Sequence, residues 1–339
     1  MATLDKINIL VCLAILVIQH RIHSKSIFYM VILLFLAVFI SMFANEMPTG
    51  LTTLICFPLE YIVICVIARD YTFGPRIIKI TFLMLVLWSI LPLLVMLAGP
   101  IDFQIAMVSD VYGKLSTFGG FAFHRNFYGF YAGLTIILAL FIPIRSFWKI
   151  SIILLCLVGI MLSASRSALM CTFAGILLFY YLTNKKKFIS ILPFVVIGVA
   201  LILSAYAYFN LRSKGLEDND DRFEILRGFG EFIMDKPLFG NGEAMIYYSA
   251  HYPLGAPAHN FVVQVWADYG LITLLVMLGF LTLIYFKSNV YLKVLLLYLL
   301  LFGLSQPYFY LSMPAAFMMI TFLLGNCVDF SNLRKANQI

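Results

Sequence analysis

The residues best suited to chemistry are one histidine and a few arginines set among apolar segments. His259 follows a loop containing Pro253, Gly255 and Pro257 and opens the apolar run that begins near Phe261. The partial positive charge of a helix N-terminus disfavours the imidazolium, so a neutral His259 is placed to accept a proton as a general base. The plainer alternative is an interfacial histidine that packs at a helix end. Helical periodicity puts Trp266, Gly270 and Thr273 close to the line of His259. The small members of that stripe would let a neighbouring helix approach and hold the imidazole in place.

Arg166 lies in Ser163-Ala164-Ser165-Arg166-Ser167-Ala168, between two apolar runs. A cation there either snorkels to an interface or faces a cavity, and its small neighbours leave room for a ligand. Arg222 and Arg227 stand beside Asp220, Asp221, Glu224 and Glu231. They can bind an anion or simply form exposed ion pairs worth at most about 1 kcal/mol. His124-Arg125-Asn126 precedes another apolar run and either faces the same cavity as His259 or marks an interface. The acidic run Glu217-Asp218-Asn219-Asp220-Asp221 invites a Mg²⁺ site. A helix cap and a solvated loop account for the same residues, so neither metal nor cofactor is expected. Glu60 is ionisable inside an apolar run, and a structural hydrogen bond is its simplest use.

The elements that must position these groups are membrane helices. Of 339 residues, 63% are hydrophobic and 12% charged, where a soluble domain carries about a quarter charged; the mean hydropathy is +1.00. Apolar runs occupy 7–19, 27–43, 51–68, 77–98, 127–143, 150–164, 168–182, 188–209, 261–285, 291–305 and 312–326. A helical span needs about 20 such residues, so the pattern predicts an all-α polytopic membrane protein of about ten or eleven spans. The first run is short for a span and makes a poor signal peptide, with only Lys6 before it and His20-Arg21 after it. Residues 1–339 read as one membrane domain. The six cysteines sit in or beside the runs without metal-ligand spacing and read as small hydrophobes.

The net charge of +7 does not mark a nucleic-acid surface, because the basic residues occupy short loops. Alternate loops hold Arg21, Lys25, Arg69, Arg76, Lys79, Arg145, Lys149, Lys185, Lys186, Lys187, Lys287, Lys293, Arg334 and Lys335. The opposite side's short segments hold only Lys6, Lys114, Arg125 and Arg166. Positive residues stay inside, so the second set faces out. The outward segment 210–260 has the only dense charge. A helix capped at Asp220 or Asp221 runs to Asp235. Phe223, Leu226, Phe229 and Ile233 give it an apolar face to lay on the bilayer surface. Lys236-Pro237 ends the helix and Gly240-Asn241-Gly242 makes a turn.

Together these pieces resemble the O-antigen ligase and O-antigen polymerase superfamily of bacterial membranes. His259-Asn260, nine residues, Gly270, two residues and Thr273 satisfy the ligase motif. Ser165-Arg166-Ser167 looks like the family's Ser-Arg-small element between spans. Arg222, followed by Pro237, Gly240 and Gly242, is similar to an arginine-opened outer helix closed by Pro-x-x-Gly-x-Gly. Phe118-Gly119-Gly120 and Asn126 resemble an upstream turn and span start, with Lys114 where an arginine is common.

The resemblance implies a glycosyltransferase of the inner membrane with its active site on the periplasmic face. Its donor would be a glycan on undecaprenyl diphosphate and its acceptor a hydroxyl of lipid A core. A polymerase would instead use a second lipid-linked glycan. Arg166 and Arg222 would stabilise the diphosphate and His259 would take the acceptor's proton. His124, Arg125, Asn126, Asn260 and Arg227 would bind substrate. Membrane lipids are the remaining partner. A transporter or flippase is a more remote reading, disfavoured because no internal repeat is visible. An unrelated acyltransferase using His259 would give no reason for paired outer arginines.

Overall fold

The computed structural model describes residues 25–45, 74–98, 118–122, 124–187, 189–190, 192–193, 220–242, 258–287 and 290–305. These residues contain helices and turns, and no strand occurs among them. The helices are α1 (Lys25–Ala44), α2 (Gly74–Ala98), α3 (Arg125–Phe141) and α4 (Ser146–Leu162). They continue with α5 (Arg166–Thr183), α6 (Asp220–Asp235), α7 (Phe261–Lys287) and α8 (Val290–Gly303). Every one except α6 coincides with an apolar run expected to be helical. The runs at 7–19, 51–68 and 312–326 and most of 188–209 lie outside the described residues, as does Glu60. Among the described residues two helices are long and apolar enough to cross a membrane, Arg166–Thr183 and Phe261–Leu283.

The chain divides into two compact units. One comprises Met1–Asp70, Leu201–Ser288 and Gly303–Cys327; the other comprises Tyr71–Ala200, Asn289–Phe302 and Val328–Ile339.

In the second unit α3 is the central helix, with Tyr128 through Phe141 buried except Tyr131. It packs on α2, α4 and α5, and close approach is possible because glycines face neighbours. A Cβ on Gly133 would collide with Thr172 and Tyr298, and one on Gly159 with the Tyr128 hydroxyl. Polar groups inside this bundle are paired, as an apolar interior requires. The Tyr128 hydroxyl donates to the Ser89 carbonyl at 2.7 Å, and Tyr298 donates to the Phe130 carbonyl at 2.7 Å. Cys156 and Cys171 are buried free thiols that pack as small apolar groups. On α2, Phe82, Leu85, Ser89 and Leu93 face inward while Ile80, Leu83, Met84, Leu87, Leu91 and Leu94 are exposed. An apolar outer face of this kind suits hydrocarbon surroundings, not water.

In the first unit α7 packs on both α1 and α6. The amphipathic helix α6 buries Ile225, Phe229 and Ile233 against Ala258 and Ala267, flanked by Phe232, Val263 and Trp266. This corrects the sequence expectation of a face laid on the bilayer. The buried stripe runs through Ile225 at an i, i+4, i+8 spacing, and Leu226 is exposed. A partner helix was available, and protein contact removes the same apolar surface that lipid would have covered.

Candidate active site

Three stretches singled out in the sequence meet at one end of the second unit. Phe118 N–H donates to the Leu162 carbonyl at 3.1 Å, which ties the Gly119-Gly120 turn to the end of α4. Gly120 has φ +52° and sits against the Tyr128 ring, so both its conformation and its space call for glycine. The Ser165 hydroxyl donates to Asn126 Oδ1 at 3.2 Å, joining the start of α5 to the start of α3. Gly129 allows this closeness, since a Cβ there would stand 2.7 Å from the Ala168 Cβ and 2.8 Å from the Ser165 Cβ.

The two helices then run parallel. Asn126 meets Ser165, Gly129 meets Ala168, Gly133 meets Thr172, Ile137 meets Gly175 and Phe141 meets Phe179. Parallel helices place their positive dipole ends side by side, and Arg125 and Arg166 are the first residues of these helices. Arg166 is exposed and Arg125 half-buried. The arrangement favours an anion over any other ligand class.

His124 caps α3, its Nδ1 accepting the Asn126 N–H at 3.3 Å. Its pKa is lowered from 6.5, first by desolvation where the ring meets the fold and then by the charge of Arg125. Ala164, two residues before Arg166, has φ +51°. A left-handed non-glycine residue costs about 1–3 kcal/mol and is found where the surroundings enforce it.

The other site residues belong to the first unit. His259 is half-buried and also left-handed, at φ +52°. Asn260 beside it is a helix cap, its Oδ1 accepting from Val262 N–H at 2.9 Å and Val263 N–H at 3.3 Å. Helix α7 does not continue evenly from there. Gly270 has φ 84° and ψ 171°, outside the helical region, and breaks it. The expected stripe from His259 through Gly270 to Thr273 therefore does not exist as one helical face. His259 lies before the helix and Gly270 interrupts it.

A break in an apolar helix frees backbone groups that must find partners. The turn after α6 supplies them. The Ala267 carbonyl accepts from Asn241 N–H at 2.8 Å and the Asp268 carbonyl from Gly242 N–H at 2.8 Å. In return Leu271 N–H donates to the Pro237 carbonyl at 2.9 Å and Ile272 N–H to the Leu238 carbonyl at 3.5 Å. Backbone meets backbone too closely for side chains here: a Cβ on Gly240 would strike Asp268 and Gly270, and one on Gly270 would strike Leu238 and Phe239. Trp266 Nε1 donates to the Pro237 carbonyl at 3.0 Å, and the Thr273 hydroxyl donates to the Tyr269 carbonyl at 3.0 Å. Helix α1 joins the same joint, with Ser41 and Asn45 donating to the Phe239 carbonyl.

Residues 151–278 match the family model described as O-antigen ligase. This stretch belongs to the O-antigen ligase family. Among curated proteins no relative matches the chain. The O-antigen ligase segment includes Arg166, Arg222, Arg227, His259 and Asn260, and His124, Arg125 and Asn126 stand upstream of it. The match supports a glycosyltransferase family of the O-antigen ligase type. Arg222 occupies the first turn of α6, the helix packed on α7 behind His259. Arg227, with its side chain 86% exposed, pairs with Glu231 at 3.8 Å, so the plain ion-pair reading describes it well. The residues that the sequence reading passed over are Gln264 and Asp268, both buried. Their signal was present as a polar i, i+4 pair inside an apolar run, which on a helix means one shared face.

Proposed function

We propose that the protein is an inner-membrane O-antigen ligase, moving a glycan from undecaprenyl diphosphate to a hydroxyl of lipid A core at the periplasmic face. On this reading residues 1–339 form one polytopic membrane domain of about ten or eleven spans, and 210–260 faces outward. The observation that carries the reading is the pair of parallel helix starts joined through Asn126 and Ser165 and headed by Arg125 and Arg166.

The chemistry follows from what breaks. The acceptor oxygen attacks the anomeric carbon as the bond from that carbon to the diphosphate oxygen breaks. Both bonding electrons leave with the undecaprenyl diphosphate, and the displacement inverts the anomeric centre. Negative charge grows on the leaving group, and a permanently protonated guanidinium meets phosphate oxygens through two parallel N–H donors. Arg166 and Arg222 take that role, with His124, Arg125, Asn126 and Arg227 holding the donor. His259 accepts the acceptor's proton, and Asn260 stands beside it on the acceptor side. The reaction so drawn needs no metal ion.

The same groups would serve a polymerase whose acceptor is a second lipid-linked glycan. Lipopolysaccharide from a deletion strain separates the two. Bare lipid A core with long glycan accumulating on undecaprenyl diphosphate is the outcome expected for the ligase. Core capped by a single repeat would assign the polymerase instead, and an unaltered banding pattern would overturn both.

A further inference from the structure

The left-handed backbone at His259 has to be enforced, and the bonds on either side of it show how. After it, Asn260 is fixed by its cap and by Gln264 N–H, which donates to the Asn260 carbonyl at 2.9 Å. Before it, Ala258 is buried against Ile225, Phe229 and Ala267, and its N–H donates to Gln264 Oε1 at 2.8 Å. The Gln264 carboxamide must therefore present oxygen to Ala258 and nitrogen the other way. Nitrogen and oxygen of a carboxamide exchange by a half-turn, so this orientation needs an acceptor facing the nitrogen. Asp268 is that acceptor: Gln264 Nε2 donates to its Oδ2 at 3.0 Å. Gln264 is 2% exposed and Asp268 is fully buried. The Asp268 carbonyl is one of the groups bonded by the Gly240-Asn241-Gly242 turn. A continuous path of hydrogen bonds thus runs from the joint at Gly270 to the peptide that carries His259.

We propose that Gln264 and Asp268 are positioning residues for His259, a chain of oriented hydrogen bonds that holds the strained 258–260 backbone and so aims the imidazole. The assignment rests on the reading of His259 as the proton acceptor. It also accounts for a polar pair buried in an otherwise apolar helix.

The test reverses the polarity of the chain. Gln264→Glu sets two carboxyl groups against each other and exchanges the amide donor for a carboxyl that donates only while it holds a proton. The double variant Gln264→Glu/Asp268→Asn exchanges the two roles. Its new amide at position 268 donates to the new carboxylate at position 264, which still accepts from Ala258 N–H. With purified full-length protein and an undecaprenyl-diphosphate glycan donor, the single variant is expected to lose about tenfold or more in kcat with donor KM little changed. The double variant should return to within about threefold of wild type.

The rate at which diethyl pyrocarbonate acylates His259, followed by peptide mass spectrometry against His124, gives a readout independent of turnover. It should shift in the single variant and return in the double. Wild-type protein that transfers no glycan would refute the reading of function, while the labelling would still decide the positioning. Unchanged turnover and labelling in Gln264→Glu, or a double variant no closer to wild type than the single, would overturn the assignment. If Gln264→Glu fails to accumulate in membranes, Gln264→Met removes both bonds at similar volume. Wild-type labelling of His259 in that protein would overturn it equally.

Discussion

His124 accepts a backbone N–H through Nδ1, and that role lasts only while Nδ1 is unprotonated. Desolvation and then Arg125 lower its pKa from 6.5. A lowered folded-state value means the capping contribution is complete above 6.5 and is lost as pH falls through the lowered value. Asparagine caps helices without titrating. On going from about pH 7.5 to about pH 5, wild type should therefore lose more melting temperature than His124→Asn. Equal losses in the two proteins would show that the cap does not titrate there. Arg166 supports a sharper expectation. Arg166→Ala should lower transfer by about 100-fold, and Arg166→Lys should recover little, because a point charge cannot form the two-pronged contact. Full activity of Arg166→Lys in a glycan-transfer assay would remove that role. Much of this site was legible from residue types: Arg166 between apolar runs, His259 after a Pro-Gly loop, Asn260 before a helix. The left-handed backbone at Ala164 and His259 was not legible, since neither residue is the glycine that usually signals it.

Helix α7 explains why a pattern of His, Asn, Gly and Thr can span fifteen residues. Asn260 starts the helix, Gly270 breaks it, and Thr273 bonds the Tyr269 carbonyl beside the break. The glycines of the turn after α6 complete the joint, so the arginine-headed helix α6 and the helix behind His259 are fixed to one another through backbone bonds. Periodicity identified both helices. It misassigned Gly270, because small residues on a helical stripe and a left-handed break read alike until the partner turn is seen. The two uses of glycine predict opposite effects of alanine. Gly270→Ala meets the Leu238 backbone at a left-handed φ and should destabilise the protein by roughly 2 kcal/mol or more. Gly230, inside α6, has nothing within 4 Å of an added Cβ. Gly230→Ala should stabilise by about 0.5–1 kcal/mol through helix propensity alone. Thermal melts of the two variants in one detergent check both signs, and a harmless Gly270→Ala would mean the joint carries no strain.

For the whole molecule the proposal depends on which side of the membrane the joint occupies. Asn45, just past α1, and Gly270, within α7, both border the turn at 237–242. From that joint α1 extends back to Lys25 and α7 extends on to Lys287. At about 1.5 Å per residue each stretch covers roughly 25–30 Å, the thickness of a hydrocarbon core. The exposed apolar residues Ile32, Leu33, Leu36, Phe39 and Ile40 on α1, and Ile272, Leu275 and Phe286 on α7, lie within those stretches. Residues 261–270 of α7, before and at the break, expose no large apolar side chain. Helices that leave one joint and each reach a lysine suit an inside position for the lysines. The proposed function requires the joint, α6 and His259 to stand outside. Cysteine at Glu231, whose side chain is 75% exposed, should react in intact spheroplasts with an impermeant maleimide. Cysteine at Lys186 should react only after the membrane is opened. Both are placed in a protein whose six native cysteines are replaced. Labelling of the Lys186 position alone in intact spheroplasts would turn the protein over and remove the periplasmic reaction with it. Protection of both positions would bury α6 against something other than solvent and would leave Arg222 without access to a lipid-linked diphosphate.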